Sequence, residues 1–451
     1  MKRTENPDMN TELEFTGARR RRIIIAASAG NFAEWYDWGV YGVVATIIAA
    51  KFFPGNDPAV ALLNTYAVFA LGYIARPIGG IFFGWIGDKY GRRRALSISI
   101  LFTCFGTALM GVLPTYKQIG LLAPILLLVC RLAQSMGAGG EYASAISFVF
   151  EHSPAGRRAR NVSSLIATTF IGILCGSLLA RVFSSFLTKD EYQTFGWRIL
   201  FLVGLPLAAF GVYLRSKVEE SPEFEMLAKA RAKAKETATP LRDALRLHWV
   251  PIVIFIVCTA SYALLSTTIT SFLTTFLINV GKLDSTEAYN ATIVSNVLVI
   301  AGSLVMGPVA DKIGLRKALS LCGLVVAILA VPSLALAAGG GVGAFTGGAL
   351  IGACKGVLAL PALLAISQIF PTAVRVTAGA LAYNVAQAVF GGTGPIIGVW
   401  LNDVTGGPYG LGVYLAALGL ITAVVAFFAR RTFDHDEATV PATGAVSPEV
   451  R

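Results

Sequence analysis

Apolar stretches of about twenty residues, long enough to cross a bilayer as helices, recur along the whole chain and restrict its fold more than any other feature. A helix in lipid also satisfies its own backbone hydrogen bonds. Only 14% of the residues are charged, whereas a typical soluble domain has about 25%. The sequence therefore predicts an all-α membrane protein with twelve transmembrane helices, at 23–50, 62–84, 95–113, 120–150, 161–187, 196–214, 250–278, 288–310, 317–338, 343–370, 375–402 and 409–430.

The basic residues give the chain a net charge of +11 and lie in alternate connections between these windows. This alternation follows the positive-inside rule, which places those connections and both termini in the cytoplasm. We therefore expect a multi-pass plasma-membrane protein that contacts the lipid bilayer and has no nucleic-acid partner. The basic positions are Arg19 to Arg22, Lys89, Arg92 to Arg94, Arg157, Arg158, Arg160, the 229–246 stretch, Lys312, Arg316, Lys317, Arg430 and Arg431.

A loop motif occurs twice, at 84–96 and at 307–319, and each copy follows the second window of a six-window half. Glycines permit a tight turn there, and the basic cluster stays at the membrane surface. Two such halves are typical of a transporter built from parallel repeats. The predicted divisions are a tail at 1–22, a six-helix bundle at 23–214, a basic linker with amphipathic helix at 215–249, a second bundle at 250–430 and a tail at 431–451.

Two carboxylates, Glu34 and Asp37, lie inside the first apolar window. A carboxylate at mid-bilayer costs about 2.5–3.5 kcal/mol, so such groups usually face a polar interior and handle ions, protons or substrate. On a helix both share a face with Asn31 and Tyr41. They are either proton carriers, which we favour, or structural partners of a basic residue on a neighbouring helix. Glu141 in the fourth window is an equal candidate for the proton or for an arginine.

Four basic residues in the apolar windows are predicted to be buried cations: Arg76, Arg131, Arg181 and Lys355. Arg76 and Arg131 are placed to reach a central cavity, whereas Arg181 is near the outer end of its window and can extend to the membrane surface. Lys355 either sets specificity or lies nearer the outer face. Because a carboxylate pairs naturally with Arg or Lys, Arg131 first and Lys355 second are predicted to hold one.

Uncharged polar and aromatic side chains complete the predicted site. Tyr262, Ser266 and Thr270 form one hydroxyl stripe, and the eleventh window carries another polar face. Such stripes can also join helices, at about 0.6 kcal/mol per contact, but a stripe facing charged residues of the other half favours ligand binding. The predicted ligand-binding residues are Arg76, Arg131, Lys355, Trp35, Tyr36, Tyr41, Gln134, Tyr262, Ser266, Tyr383, Asn384 and Gln387.

The repeated loop motif, Gly-x-x-x-Asp-Lys-x-Gly, resembles the cytoplasmic loop signature of the major facilitator superfamily. Further segments resemble its metabolite:proton symporter family, whose members include proline/betaine, α-ketoglutarate, citrate and shikimate transporters. The resemblance implies proton-coupled uptake across a bacterial inner membrane by two six-helix bundles. The segments are 30–37, Ala75 to Gly80, Gly139 to Tyr142, Gly196 to Ile199, Glu219 to Phe224, and Tyr383 with Asn384.

The same resemblance implies a cytoplasmic gate, a charge network that closes the inner side of the outward-open state. Because the outward-open and inward-open states have nearly equal free energies, a charge network that contributes only a few kcal/mol can shift the balance between them. We expect the first copy of the motif to matter more than the second. The implied gate residues are Gly84, Asp88, Arg92, Arg93, Arg94, Glu151, Arg158, Asp311 and Arg316.

Three classes of function are compared. A membrane enzyme would need a nucleophile, metal cluster or cofactor motif, and the scattered cysteines and histidines suggest none, so no catalytic residue, metal or cofactor is expected. A sensor or channel would need an added domain or an oligomeric pore. A monomeric proton symporter fits best. The four predicted buried cations, against three carboxylates, favour an organic acid substrate. A zwitterion such as proline or betaine is the alternative, with Trp35 or Tyr36 facing its ammonium group.

Overall fold

The computed structural model describes residues 31–433, except 56, 91, 139–140, 152, 155, 217–245, 247, 371–374 and 408. Within its helices some further side chains also lie outside the description. These include predicted site and gate residues at Asp88, Arg92, Arg93, Arg94, Glu141 and Glu151. The predicted linker helix and both predicted tails fall almost entirely outside the described residues.

Twelve long helical segments follow one another along the described chain. Their positions match the predicted windows, and the predicted all-α membrane fold is confirmed. They are α1 (31–43 and Ala45–Phe52, with a turn at Val44), α2 (Pro58–Tyr90), α3 (Arg92–Val112), α4 (Leu122–Gly137 and Glu141–Glu151), α5 (Arg158–Phe186), α6 (Trp197–Ser216), α7 (Trp249–Asn279), α8 (Ser285–Ile313), α9 (Leu315–Ala338), α10 (Gly341–Ile369), α11 (Arg375–Ala386, Gln387–Gly392 and Gly394–Thr405) and α12 (Tyr409–Phe428).

Short helical turns occur between these segments, at Tyr116–Ile119, Lys189–Glu191 and Tyr192–Gly196, and another follows α12 at Arg430–Phe433. The loops between α2 and α3 and between α8 and α9 carry the two copies of the repeated motif, and we call their side of the molecule the motif end. The opposite end is where α1 meets α2 and α7 meets α8.

Large apolar side chains are exposed on the outer faces of the helices. Ile74, Phe105, Ile328 and Phe428 are examples, with between 58% and 75% of their surface accessible. A soluble protein rarely exposes so much apolar surface, whereas a membrane protein turns it toward lipid. The polar side chains are therefore concentrated inside the molecule.

Small residues allow the helices of each half to pack closely. A Cβ atom added to Gly79 of α2 would lie 1.9 Å from the carbonyl oxygen of Met136 on α4. In the second half, Gly347 of α10 packs in the same way against Ser333 of α9. Close backbone approach of this kind is how helices associate in membranes, where lipid supplies no hydrophobic drive between them.

Two helices of the second half contain π-helical turns where they meet the first half. The turn Thr268–Phe272 lies in α7 against Gly42 of α1, and the turn Gln387–Gly392 lies in α11, where Gly392 packs on Tyr73 of α2. Such turns are rare and occur often at functional sites. They bring the polar faces of α7 and α11 toward those of α1 and α2.

Candidate substrate and proton site

Glu34 and Arg76 form a buried ion pair between α1 and α2. Glu34 Oε1 lies 3.6 Å from Arg76 Nη2, and the two residues are 8% and 2% exposed. Arg76 Nε and Nη2 donate no hydrogen bond within the described residues. The pair is thus close enough to compensate charge but leaves guanidinium donors available.

Trp38 links the two buried arginines of the first half. Its ring centroid lies 4.1 Å from Cζ of Arg76 and 3.9 Å from Cζ of Arg131. Arg131 also contacts the rings of Tyr41 and Phe69, at 4.7 and 4.6 Å. Cation–π contacts stabilise a desolvated arginine by about 2 kcal/mol or more. The sequence-based selection missed Trp38, although its spacing of one helical turn from Glu34 could have identified it.

A chain of hydrogen bonds connects Asp37 to Arg131. Thr107 Oγ1 lies 2.8 Å from Asp37 Oδ2, Gln134 Nε2 donates to Thr107 Oγ1 at 2.7 Å, and Arg131 Nη1 donates to Gln134 Oε1. Thr107 was not among the predicted residues, because a single threonine in an apolar helix resembles ordinary helix-joining polarity. Its spacing of one helical turn from Thr103 was the only sequence feature that could have indicated a polar face on α3.

An aromatic cluster joins the halves beside the Glu34–Arg76 pair. Trp35 packs on Tyr142 with ring centroids 5.5 Å apart, and Tyr142 packs on Tyr383 of α11 at 5.8 Å. Tyr262 of α7 lies within electrostatic range of both tyrosines, as Tyr383 does of Arg76. We call Trp35, Tyr142, Tyr262 and Tyr383 the aromatic box. Tyr142 was not a predicted ligand-binding residue; the other three were.

The polar face of α11 borders this box. Gln387 Nε2 donates to the hydroxyl of Tyr383 at 3.1 Å, and Asn384 is buried on the same helix. In α7, Ser266 is also buried. The structure thus brings the predicted polar stripes of α7 and α11 to the interface between the halves.

Lys355 lies in the interior rather than at an outer face. It is fully buried, its Nζ lies 3.4 Å from the carbonyl oxygen of Ser266, and it faces the ring of Phe170 at 4.6 Å. Among the described side chains no carboxylate lies within ion-pair distance of it. Lys355 therefore places an amino group at the junction of α10, α7 and α5.

Two predicted ligand-binding residues, Tyr36 and Tyr41, direct their hydroxyl groups away from the Glu34–Arg76 pair, and Arg181 lies toward one end, as the sequence indicated. The Tyr36 hydroxyl donates to the Leu200 carbonyl at 2.7 Å, inside the first half, because two residues of helix turn it away from Glu34. Tyr41 contacts Arg131 through its ring, while its hydroxyl donates to the Thr65 carbonyl. The residue Arg181 donates to Asn290 near the opposite end, outside the central cluster.

The halves contact each other on both sides of this cluster. At the opposite end the Tyr66 hydroxyl donates to the Ser271 carbonyl at 2.9 Å and lies 2.8 Å from the hydroxyl of Thr275. Toward the same end the hydroxyls of Tyr192 and Tyr289 are 3.2 Å apart. With the Asp311 contacts at the motif end, the halves touch each other on both sides of the central residues.

At the motif end, Asp311 crosses between the halves. Its carboxylate accepts hydrogen bonds from the backbone N–H groups of Ala159 and Arg160, at 2.9 and 3.1 Å, at the first turn of α5. Arg316 instead donates to the Phe427 carbonyl within the second half, and Arg158 faces the ring of Phe150. The other implied gate residues have side chains outside the described part of the chain.

An all-α membrane fold with two packed halves and a buried, charged site between them defines a membrane transporter. The chain belongs to the major facilitator superfamily. Residues 23–248 match the family "Sugar (and other) transporter", and residues 153–370 match "MFS/sugar transport protein".

The similar proteins include transporters named for small zwitterions. The "Proline/betaine transporter" of Salmonella typhimurium is 34% identical, over 90% of this chain and 83% of its own length. The "Glycine betaine/proline/ectoine/pipecolic acid transporter OusA" of Dickeya dadantii is 33% identical, over 92% and 84%. These relatives agree with the resemblance to the metabolite:proton symporter family.

Solved structures share the fold at low sequence identity. A D-xylose-proton symporter matches with a TM-score of 0.71 and 19% identity, over 91% of this chain and 97% of the other. The xylose transporter XylE from E. coli, in a partially occluded inward open conformation, matches with a TM-score of 0.70 and 18% identity over the same shares. Both confirm the superfamily fold.

Proposed function

We propose that this protein is a proton-coupled symporter that takes up a zwitterionic osmolyte such as proline or glycine betaine by alternating access. The observation that most supports this proposal is the aromatic box beside Arg76. A zwitterion needs a cation for its carboxylate and π faces for its ammonium group, and both stand together at the interface between the halves. The names of the similar transporters support the same substrate class.

The geometry shifts the expected carboxylate partner from Arg131 to Arg76. Each guanidinium faces three aromatic rings and has two nitrogens without hydrogen bonds in the described part of the structure. Arg131, however, donates to Gln134, whereas Arg76 lies 5.8 Å from the ring centroid of Trp35 in the aromatic box. A substrate carboxylate on Arg76 would compete with Glu34. Because the guanidinium can bind a carboxylate through two parallel hydrogen bonds, the exchange is chemically matched.

The proton site in this proposal is Asp37, with Glu34 released by substrate as a second acceptor. Asp37 is 2% exposed and forms no ion pair among the described residues. A buried carboxylate without a cation in contact can exist in the neutral form, so it can carry a proton through the occluded state. The positive-inside pattern supports entry from the opposite end and release at a cytoplasmic motif end.

An organic anion is the second candidate substrate, and Lys355 favours it. The sequence-based argument counted four cations against three carboxylates, but Glu34 compensates Arg76 and Arg181 lies away from the centre. Of the two remaining basic residues, Arg131 donates to Gln134, which leaves Lys355 as the group that an anion could use. It contacts Phe170 rather than the aromatic box, so a zwitterion bound at Arg76 would not need it.

Proteoliposome uptake under an inward proton gradient tests the proposal. Labelled glycine betaine and proline should accumulate, with proton influx reported by an internal pH-sensitive dye. Mono-, di- and tricarboxylates serve as the comparison panel. Accumulation of a carboxylate but of neither zwitterion would reject the proposed substrate class, and accumulation of a zwitterion without proton influx would reject the coupling.

A further inference from the structure

Thr107 has more hydrogen-bonding neighbours than its single hydroxyl proton can serve. Its Oγ1 lies 2.8 Å from Asp37 Oδ2, 2.9 Å from the backbone carbonyl oxygen of Thr103 and 2.7 Å from Gln134 Nε2. All four residues are buried. Since buried polar groups are paired, the position of that one proton depends on which neighbours can donate.

The orientation of the Gln134 amide is determined by Arg131. A guanidinium has donors and no acceptor, so the amide oxygen must face Arg131. The amide NH₂ group then faces Thr107 and donates to it. Gln134 therefore occupies an acceptor position on the Thr107 hydroxyl in every protonation state of Asp37.

Two arrangements remain for the hydroxyl proton. If the Asp37 carboxyl is neutral, its O–H donates to Thr107 Oγ1 and the Thr107 O–H donates to the Thr103 carbonyl. If Asp37 is ionised, the Thr107 O–H turns about the Cβ–Oγ1 bond and donates to Asp37 Oδ2. The Thr103 carbonyl then keeps its helical partner, the N–H of Thr107.

We propose that Thr107 is a positioning residue for proton coupling, whose hydroxyl rotates between the Thr103 carbonyl and Asp37 and so supports both the neutral and the ionised carboxyl. Gln134 donates to Thr107 and accepts from Arg131, so it fixes the positions of both side chains. This inference rests on the proposed role of Asp37 as proton carrier. When the proton leaves, the carboxyl O–H bond breaks, the proton passes to water, and Thr107 supplies the replacement hydrogen bond.

In the described part of the structure, no other group around Asp37 donates a hydrogen bond to its carboxylate. Its own helix places Glu34 and Tyr36 near it, α3 contributes Cys104, and α4 contributes Arg131 at longer range. On the α6 side stands Gly204, whose missing side chain leaves Asp37 Oδ1 without a hydrogen-bond partner in the described structure. Thr107 is therefore the donor on which the ionised form depends.

Infrared titration of the full-length protein in proteoliposomes tests the inference without any substrate. The carbonyl stretch of a protonated buried carboxyl is followed against pH, and its loss in Asp37→Asn assigns it to Asp37. In Thr107→Val the ionised form loses its donor, so the midpoint should move upward by about one pH unit or more, a tenfold change in protonation. Thr107→Ser should keep the wild-type midpoint.

Thr259→Val is the matched control. Thr259 is also buried and donates to a carbonyl four residues earlier, but no carboxylate faces its hydroxyl among the described residues. The titration midpoint of the Asp37 band should not move in Thr259→Val. If Thr107→Val does not insert stably, Thr107→Ala removes the same hydroxyl with less apolar bulk.

The outcomes separate this inference from the proposed function. An unchanged midpoint in Thr107→Val and Thr107→Ala, or an equal shift in Thr107→Ser, would overturn the switch while leaving Asp37 as the titrating group. If no titrating band disappears in Asp37→Asn, then Asp37 is not the proton carrier, and both the proposed coupling and the switch are rejected.

Discussion

At the scale of single residues, two buried carboxylates three positions apart have different partners. Glu34 contacts a guanidinium, whereas Asp37 contacts a threonine hydroxyl. An adjacent cation favours the ionised form of a carboxyl group, and burial without one favours the neutral form. On this basis we propose different roles for the two groups: Glu34 as the exchange partner of Arg76, and Asp37 as the proton carrier.

Neutralising each carboxylate should separate these roles. We expect Asp37→Asn to abolish gradient-driven accumulation of glycine betaine while sparing counterflow, because counterflow exchanges loaded carriers without releasing the proton. Glu34→Gln should alter substrate affinity as well, because Arg76 loses its charged partner. Accumulation and counterflow are measured in the same proteoliposomes. Wild-type accumulation in both variants would place the proton elsewhere, with Glu141 next.

Arg76→Lys keeps the positive charge but loses the planar fork that binds a carboxylate through two hydrogen bonds. Affinity for glycine betaine should fall tenfold or more, about 1.4 kcal/mol. Lys355→Gln is the comparison and should leave betaine affinity within about twofold, a change worth only about 0.4 kcal/mol. The measurement is competition binding in detergent. The reverse pattern would favour the organic-anion candidate and a ligand at Lys355.

The sequence could identify the chemically costly residues but not their partners. Glu34, Asp37, Arg76 and Arg131 are conspicuous because charge is expensive in lipid. Thr107 carries no such cost, since a helical threonine can bond to its own backbone. The contact of Asp37 with Thr107 depends on how α1 packs on α3, which apolar windows do not specify.

At the scale of helices, the boundaries were predictable because hydrophobic length and the bilayer thickness determine them. The π turns of α7 and α11 were not, because they arise where these helices meet α1 and α2. The repeated loop motif was likewise predictable only in part. Its sequence indicated a surface turn at Asp311, but not that this carboxylate binds the first turn of α5 in the other half.

Asp311→Asn should weaken the closure of the motif end. A carboxylate that accepts two N–H groups at a helix N-terminus contributes about 0.5–2 kcal/mol, so closure should weaken several-fold. Cysteines placed along α5 and α8 near the motif end should then label faster with a soluble maleimide. Asp284→Asn is the control, because Asp284 caps α8 without leaving its own half. Equal labelling rates in the wild type, Asp311→Asn and Asp284→Asn would show that Asp311 is not part of the gate.

At the scale of the whole molecule, an occluded state requires the halves to approach each other closely at the opposite end, and α1 and α7 do so here. A Cβ atom on Gly42 of α1 would lie 2.3 Å from Cα of Ser271 and 2.4 Å from the carbonyl oxygen of Thr270, both in the π turn of α7. Neither neighbour is a flexible side-chain tip. Any larger residue must therefore separate α1 from α7, and the Tyr66 hydrogen bonds to α7 would be stretched with them.

Gly42→Val should hold the carrier open at the opposite end. We expect transport and counterflow to fall at least tenfold, because both require passage through the occluded state, while glycine betaine still binds from that side. Gly176→Ala is the control: its Cβ would meet Val40 Cγ2, Val40 N and the Tyr36 carbonyl oxygen of α1 at 3.4, 3.5 and 3.6 Å, which are ordinary contacts within the first half. Binding is measured in detergent, and opening by maleimide labelling of a cysteine at Thr275. Normal counterflow in Gly42→Val would show that the α1–α7 contact is not part of the cycle.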